Sequence, residues 1–239
     1  MKKLSITINM KNNIGNGLPH KYTKDKCGKD ILVGYDEERK VYGHQIMMEW
    51  EIPYMKKCIE KLNPFGDVLE VGFGMGYSAN EIQNYNINSH TIIECDPVVF
   101  KKALEWSKSQ KNKTKIIFGK WEDVYKTLGK FDCFFYDPYN IGGISKFSSI
   151  CDNTIFTKES LYYNSKNFVK ISYYCVCVAE VIKTIPITVK TLCPNYEYQF
   201  NFDNYPCEIP DNCHYIDEKQ NLYVPLIKAK KNILHYNYK

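Results

Sequence analysis

A short apolar strand, a run of glycines and the start of a helix follow one another at residues 67–83, and this order narrows the folds open to the chain. Residues 67–71 (DVLEV) read as a buried strand, residues 72–76 (GFGMG) as a tight turn, and residues 77–83 (YSANEIQ) as a helix start. Glycines in that place let the backbone turn sharply and approach a ligand closely, which side chains would prevent. A carboxylate, Glu94, closes the next apolar run (HTIIE, residues 90–94), 22 residues after Gly72. An acid at the end of a second strand can accept hydrogen bonds from both hydroxyls of an adenosine ribose. The spacing is G-x-G-x-G, not the G-x-G-x-x-G that seats a pyrophosphate on a helix N-terminus. It favours S-adenosylmethionine over a nicotinamide dinucleotide.

The alternation continues down the chain. Residues 97–107 (PVVFKKALEWS) predict a helix, with Asp96 as N-cap and Pro97 at its first position. Residues 115–118 predict a strand. Residues 121–128 predict a helix carrying Glu122 and Asp123 in its first turn. Residues 131–136 (FDCFFY), 171–178 and 222–227 predict further strands. Repeated strand-helix units imply an α/β fold, a doubly wound Rossmann-like sheet covered on both faces. Upstream, Ile46, Met47, Trp50, Tyr54, Met55 and Ile59 recur at helical spacing. Pro53 then places Glu51 at a junction between two helical pieces. Residues 1–43 are polar and weakly periodic and read as an N-terminal arm or lid, leaving residues 44–239 as the catalytic-type domain.

Charge and cysteine usage bear on partners and compartment. The formal net charge of +5 comes from scattered lysines, the densest cluster being Lys228, Lys230 and Lys231. That pattern is a solvated surface, not the basic stripe of a nucleic-acid binder. None of the ten cysteines forms a C-x-x-C pair, so no metal site is expected. The N-terminus is too short in apolar residues for a signal peptide, and no run approaches a membrane span. A reducing, cytoplasmic setting and a monomer or homodimer are the corresponding expectations.

Two more carboxylates matter for chemistry. Asp137 closes the strand FFYD at the edge where an open α/β sheet binds ligands. Position leaves two readings open: a base that takes a proton from a nitrogen nucleophile, or an Asp opening a turn before Pro138. Glu51 reads by periodicity as a solvated helix acid. Set against Trp50 and Tyr54, it could instead pair with a planar cation.

Residues 46–139 resemble guanidinoacetate N-methyltransferase and the related arginine δ-N-methyltransferase domain. The matching stretches are MMEWEIPYM (47–55), VLEVGFGMG (68–76), HTIIEC (90–95), ALEW (103–106), GKWEDV (119–124) and FYD (135–137). A weaker match returns at PDNCHY (210–215) and at Pro225, Leu226 and Ile227. The resemblance implies a class I methyltransferase sandwich with S-adenosylmethionine as cofactor and S-adenosylhomocysteine as product. It implies that Met47 and Met55 line the cofactor pocket, and that Gly72, Phe73, Gly74, Met75, Gly76, Tyr77 and Ser78 surround the methionine part. Glu94, Cys95 and Asp96 would hold ribose and adenine, with Trp121 and Glu122 at the adenine edge. Glu51 and Asp137 would grip the guanidino group beside Trp50, with Asp137 as the base.

The departures are specific. The family's Asp-Thr-Tyr-Pro is Asp137-Pro138-Tyr139-Asn140 here, and its Lys-Pro-Gly-Gly turn is replaced by residues 164–170 (NSKNFVK). Its Cys-Asn-Leu-Thr, which helps hold the substrate carboxylate, is matched by Cys175-Val176-Cys177-Val178. Cys177 and Val178 therefore stand in a substrate-binding place without the polar threonine. The expected acceptor is a small guanidino compound: guanidinoacetate-like, arginine or agmatine. Asp137-Pro138-Tyr139 also resembles a shortened Asp-Pro-Pro-Tyr motif of nucleic-acid amino-methyltransferases. A cofactor-binding protein without turnover is the third reading.

Overall fold

The computed structural model describes residues 5–8, 19–138, 148–217 and 219–232. Strand β1 (Ser5–Ile8) is followed by a hairpin-like group of β2 (Lys21–Lys24), β3 (Asp30–Asp36) and β4 (Val41–Met48). After a 3₁₀ turn at Glu49–Glu51 come α1 (Ile52–Leu62), β5 (Gly66–Val71), α2 (Tyr77–Ile82), β6 (Ile87–Glu94), α3 (Pro97–Ser107) and β7 (Thr114–Phe118). Next are α4 (Trp121–Val124), β8 (Phe131–Tyr136), α5 (Ser148–Glu159), β9 (Ser165–Tyr173) and β10 (Val176–Cys177). The chain continues through α6 (Ala179–Ile182), α7 (Ile185–Leu192), β11 (Tyr196–Tyr205) and β12 (Asn221–Lys231).

The main sheet runs β1-β7-β6-β5-β8-β9-β12-β10, with β11 also paired to β12. Strands β5 to β9 pair parallel with one another, whereas β12 runs antiparallel to β9, β10 and β11. The order reverses at β5, where β6 lies on one side and β8 on the other, which is where an open α/β sheet binds its ligand.

Alternation along the strands sorts the two core layers. Val68, Ile92, Ile116, Cys133 and Phe135 face a cluster with Tyr54, Met55, Cys58 and Ile59 of α1, Ala79 and Ile82 of α2, and Val99, Phe100 and Ala103 of α3. Their sequence neighbours Leu69, Ile93, Ile117, Phe134 and Tyr136 face the opposite layer, with Trp121, Val124, Phe156 and Leu161. A strand buried on both faces reads as a continuous apolar run, as these do.

The expected helix at α3 forms with its cap: the Asp96 carboxylate accepts from the amides of Val98 and Val99 at 2.8 and 2.9 Å. Elsewhere local reading gives way to tertiary pairing. The helical stripe expected from Ile46 starts only at Ile52, because Met47 and Met48 pair with Leu32 and Ile31 of β3. The junction expected at Glu51 stands. Residues 21–48, read largely as a polar arm, carry the antiparallel sheet β2-β3-β4, and β4 runs across residue 43. The helix expected over 121–128 is α4 followed by a 3₁₀ turn at Tyr125–Thr127. Residues 165–170, placed by the resemblance at a turn, are the start of β9. Among the described residues no helix is long and apolar enough to cross a membrane.

At the end of the sheet away from the glycine turn, Lys166 ties three adjacent central strands. Its ammonium lies 2.8 Å from Asp67 and 2.7 Å from Asp132, and Asp132 also accepts from the Asp67 amide at 2.7 Å. Lys166 and a hydrogen bond from Ser89 hold the Asp67 carboxyl below the usual carboxylate range. A depressed carboxyl contributes stability above its unfolded value, about 3.9 for aspartate, and loses it as pH falls through the folded value. Lys166→Met should therefore lower urea-unfolding stability at neutral pH by at most about 1 kcal/mol, since the pair is partly exposed. The difference from the parent should close as the pH is taken below the carboxylate range. A deficit that persists unchanged in acid would assign the loss to packing.

Candidate functional site

The glycine turn connects β5 to α2 at the point of strand reversal. Gly72 has φ +88°, and a β-carbon there would overlap the carbonyl oxygen of Asp137. The two residues lie side by side because β5 and β8 are adjacent: the Gly72 amide donates to Ile93 O at 2.9 Å, and the Asp137 amide donates to Val71 O at 2.8 Å. At Gly74, φ is +52°, and a β-carbon would meet the Met47 sulfur at 3.0 Å. The Met75 amide points at the same sulfur, 3.3 Å away. Only glycine fits this close approach without strain.

Glu94 ends β6 beside the turn, 8 % exposed. Its two oxygens accept from the amides of Phe73 and Asp96 at 2.9 and 2.8 Å. A carboxylate has about four lone-pair sites, so two acceptor positions remain for a ligand's hydroxyls. Burial pushes the Glu94 carboxyl up, and the two amides act against that shift. A bare-backbone cradle beside a fixed carboxylate fits an adenosyl cofactor with a methionine tail. Below the turn, Glu70 is fully buried. Ser78 donates to one of its oxygens, and His90 Nε2 lies 2.8 Å from the other. Gln83 Nε2 lies 3.1 Å from His90 Nδ1, which favours the tautomer with its proton on Nε2, facing Glu70.

The β2-β3-β4 sheet docks on this turn. The Tyr22 hydroxyl donates to Gly74 O at 2.7 Å, and the His20 amide donates to Asp96 at 2.8 Å. The Lys102 ammonium sits 3.6 Å from the centre of the Tyr22 ring. Neither Tyr22 nor His20 stood out in the sequence, because their contacts lie 52 and 76 residues away.

The other candidate cofactor residues fall into two groups. Tyr77 and Cys95 are half-buried next to the turn and to Glu94, and Glu122 is exposed. Asp96, by contrast, spends its carboxylate on the α3 cap and on His20. Met55 is 0 % exposed within the core around α1. Trp121 packs into the opposite core layer, its ring stacked on Tyr125 at 4.8 Å and tilted against Phe156 at 5.3 Å.

The residues expected on the acceptor side are Glu51 and Asp137. Asp137 follows β8, half-buried, and Glu51 ends the 3₁₀ turn before α1, 1 % exposed. The solvated-acid reading of Glu51 is thus excluded. Its Oε1 accepts from the Met48 amide at 2.7 Å and from the Tyr215 hydroxyl at 2.6 Å. The Tyr215 ring stacks on Trp50, centroids 6.4 Å apart. Tyr174, just past β9, sits edge-on to Tyr54, whose hydroxyl donates to Tyr223 O and accepts from the Cys175 amide. Burial pushes Glu51 up to about 7, against the pull of its donors. Asp137 is pushed well above the carboxylate range, first by burial and then by Glu51, Glu70 and Glu94. Cys177 is buried, its sulfur 4.0 Å from that of Cys175, and Val178 is half-buried. Tyr139, which the amino-methyltransferase reading requires, lies outside the described residues. No cluster of three or more metal-ligating side chains occurs among the described residues.

Comparison with known proteins agrees with this architecture. The family profile described as guanidinoacetate N-methyltransferase matches residues 23–170. The chain is 37% identical over 128 residues to protein arginine N-methyltransferase 2 of Candida glabrata, covering 49% of this chain and 30% of that protein. It is 31% identical over 106 residues to the Saccharomyces cerevisiae protein of the same name, covering 40% and 26%. The chain thus spans under a third of the length of these relatives. Among solved structures, M. jannaschii TYW2 in complex with AdoMet superposes with a TM-score of 0.57 at 16% identity, covering 89% of this chain and 87% of that one. Spermidine synthase of Thermotoga maritima superposes with 0.53 at 12% identity, covering 92% and 79%. At such identities the likeness shows the fold alone, a Rossmann-like α/β sandwich.

Gly72→Ala tests the turn. A left-handed non-glycine residue costs about 1–3 kcal/mol, and here the added carbon must also displace the Asp137 carbonyl. Calorimetry should show S-adenosylmethionine binding weakened about tenfold or more, together with earlier thermal unfolding. Gly43→Ala, where a β-carbon meets nothing within 4 Å, is the control and should match the parent. Parental cofactor affinity in Gly72→Ala would move the pocket elsewhere.

Proposed function

The chain belongs to the guanidinoacetate N-methyltransferase family, and from that premise we propose that it methylates a nitrogen of a guanidino compound whose far end is not a short carboxylate. The observation that carries this reading is the pair of neighbouring carboxylates, buried Glu51 and half-buried Asp137, with Tyr174 near both and the stacked rings of Trp50 and Tyr215 beside Glu51. Paired carboxylates suit the planar fork of donors on a guanidinium, and aromatic faces favour its charge. The charged groups that bear on Asp137, namely Glu51, Glu70 and Glu94, are all carboxylates.

S-adenosylmethionine, held by the turn over residues 72–78 and by Glu94, supplies an electrophilic methyl group on its sulfonium. The chain's own residues align the acceptor nitrogen and remove its proton. A guanidinium is protonated at neutral pH and has no free lone pair, so a base must sit against it. Glu51 anchors the cation. Asp137 carries the base role: the N–H bond breaks, its electron pair stays on nitrogen, and the proton goes to a carboxylate oxygen. Because Asp137 is pushed toward its protonated form, it accepts that proton readily once the bound cation has first favoured its ionised state.

The far end of the acceptor meets different chemistry. Half-buried Val176 and Val178 flank buried Cys177, where the family has a polar segment that ends in threonine. An unpaired carboxylate against these side chains is costly. A cationic tail, as in agmatine, or a tail that reaches solvent, as in arginine, avoids the cost. Arginine within a protein is the second reading, supported by the name of the curated relatives.

Steady-state kinetics on guanidinoacetate, arginine, agmatine, an arginine-containing peptide and an oligonucleotide test the reading. The expected order places agmatine or an arginine compound above guanidinoacetate in kcat/KM. A clear preference for guanidinoacetate overturns the far-end argument. Turnover of the oligonucleotide alone points to an amino-methyltransferase, and cofactor binding without turnover on any acceptor to a non-catalytic protein. Asp137→Asn should lower turnover on the order of 10²–10⁴-fold while keeping cofactor affinity.

A further inference from the structure

The two acceptor-side carboxylates differ in what surrounds them. Glu51 accepts from the Met48 amide and the Tyr215 hydroxyl. The Tyr174 hydroxyl also lies close enough to favour its charged form, though short of full hydrogen-bond geometry. Among the described residues, no donor bonds to the carboxyl of Asp137, which meets burial and three other carboxylates instead. Two carboxylates that share a site cannot both keep their charge cheaply, so the donors decide which one holds it.

Tyr215 is held in place from a distance. It lies in the loop between β11 and β12, and Gln45 of β4 clamps that loop at two points. Gln45 Nε2 donates to Asn212 O at 2.6 Å, and the His214 amide donates to Gln45 Oε1 at 2.7 Å. The Asn212 amide group donates to Asp25 at 2.8 Å. The ring itself rests on Trp50. Its hydroxyl reaches Glu51 across 164 residues of sequence because the N-terminal sheet fixes the loop.

We propose that Tyr215 is a positioning residue whose hydroxyl, with that of Tyr174 beside it, keeps Glu51 as the charged member of the pair and leaves the site's proton on Asp137. This rests on the guanidino-methyltransferase reading for its role in turnover, though not for its electrostatics. Before the acceptor arrives, the site thus holds one fixed anion to anchor a cation and one carboxyl with its proton. Entry of the cation drives the Asp137 proton to solvent, and Asp137 is then the vacant base.

The titratable groups facing Glu51 are Asp137 at the end of β8, Tyr77 in α2, Tyr174 after β9, and Cys213 and Tyr215 in the β11–β12 loop. Burial pushes the phenols of Tyr174 and Tyr215 up, so both remain donors through neutral pH. Removing a donor to an ionised carboxylate raises its pKa. Tyr215→Phe deletes the hydroxyl and keeps the ring that stacks on Trp50.

The test is a carbon-13 NMR titration of the full chain labelled at glutamate carboxyls, with the Glu51 signal assigned by its loss in Glu51→Gln. The parent should titrate near 7, where burial and the donors place it. Tyr215→Phe should move that midpoint up by about one unit, the effect of losing one hydrogen bond to a charged group. Tyr174→Phe should move it the same way by less and serves as the second variant if Tyr215→Phe does not fold. An unchanged or lowered Glu51 midpoint overturns the proposal. With an acceptor that turns over, the acid limb of kcat/KM should shift by the same amount, while the rate above the limb stays near the parent's. A uniform loss at every pH would make Tyr215 merely structural. If the parent methylates no guanidino compound, the functional reading fails, and the NMR titration still decides the role of Tyr215.

Discussion

The contact between Gly72 and the main chain of Asp137 is the constraint on which the site depends. Adjacent parallel strands bring the two residues together, and the missing β-carbon lets the Asp137 carbonyl lie against the turn. One backbone approach therefore sets both halves of the site. The turn proposed to cradle the cofactor and the carboxyl proposed to face the acceptor share a rigid floor, since the amide of Asp137 is bonded to Val71 and that of Gly72 to Ile93. Precision of this kind comes from strand ends, not from mobile loops.

Four enclosed or half-enclosed carboxylates gather at this end of the sheet, and each is managed differently. Glu70 is met by Ser78 and His90. Glu94 is met by two backbone amides. Glu51 is met by an amide and a phenol. The carboxyl of Asp137 meets no hydrogen-bond donor among the described residues, and burial with three neighbouring carboxylates pushes it well above the carboxylate range. Concentrating like charges in a low-dielectric cleft costs stability, and unequal compensation separates the roles of chemically identical groups. An anion-rich cleft with one poorly supported member suits a cationic acceptor that must give up a proton.

The N-terminal sheet completes the arrangement. It reaches the cofactor turn through Tyr22 and Met47 and the acceptor side through Gln45, which clamps the loop bearing Tyr215. The segment is polar in sequence because it is a small sheet laid over a site. Its buried residues are Ile31, Leu32, Val33, Gly34, Met47 and Met48.

The parts whose cause is local are written in the order of the residues. The short apolar runs DVLEV and FDCFFY, the glycines after the first strand, and Asp96 before Pro97 each act within a few residues, so strand, turn and cap were legible. The α/β class and the positions of Glu94 and Asp137 at strand ends followed from them. Tertiary structure alone decided what those groups meet. Glu51 read as a solvated acid, yet it is enclosed, because its walls come from Tyr174 and Tyr215 more than a hundred residues away. Residues 46–48 read as helix and form the end of β4, because pairing with β3 outweighs a weak helical period. Trp121, which the resemblance sets at the adenine edge, stacks on Tyr125 and tilts against Phe156, ring contacts that only the folded chain shows. Burial and long-range hydrogen bonds are properties of the assembled sheet, and no local pattern encodes them.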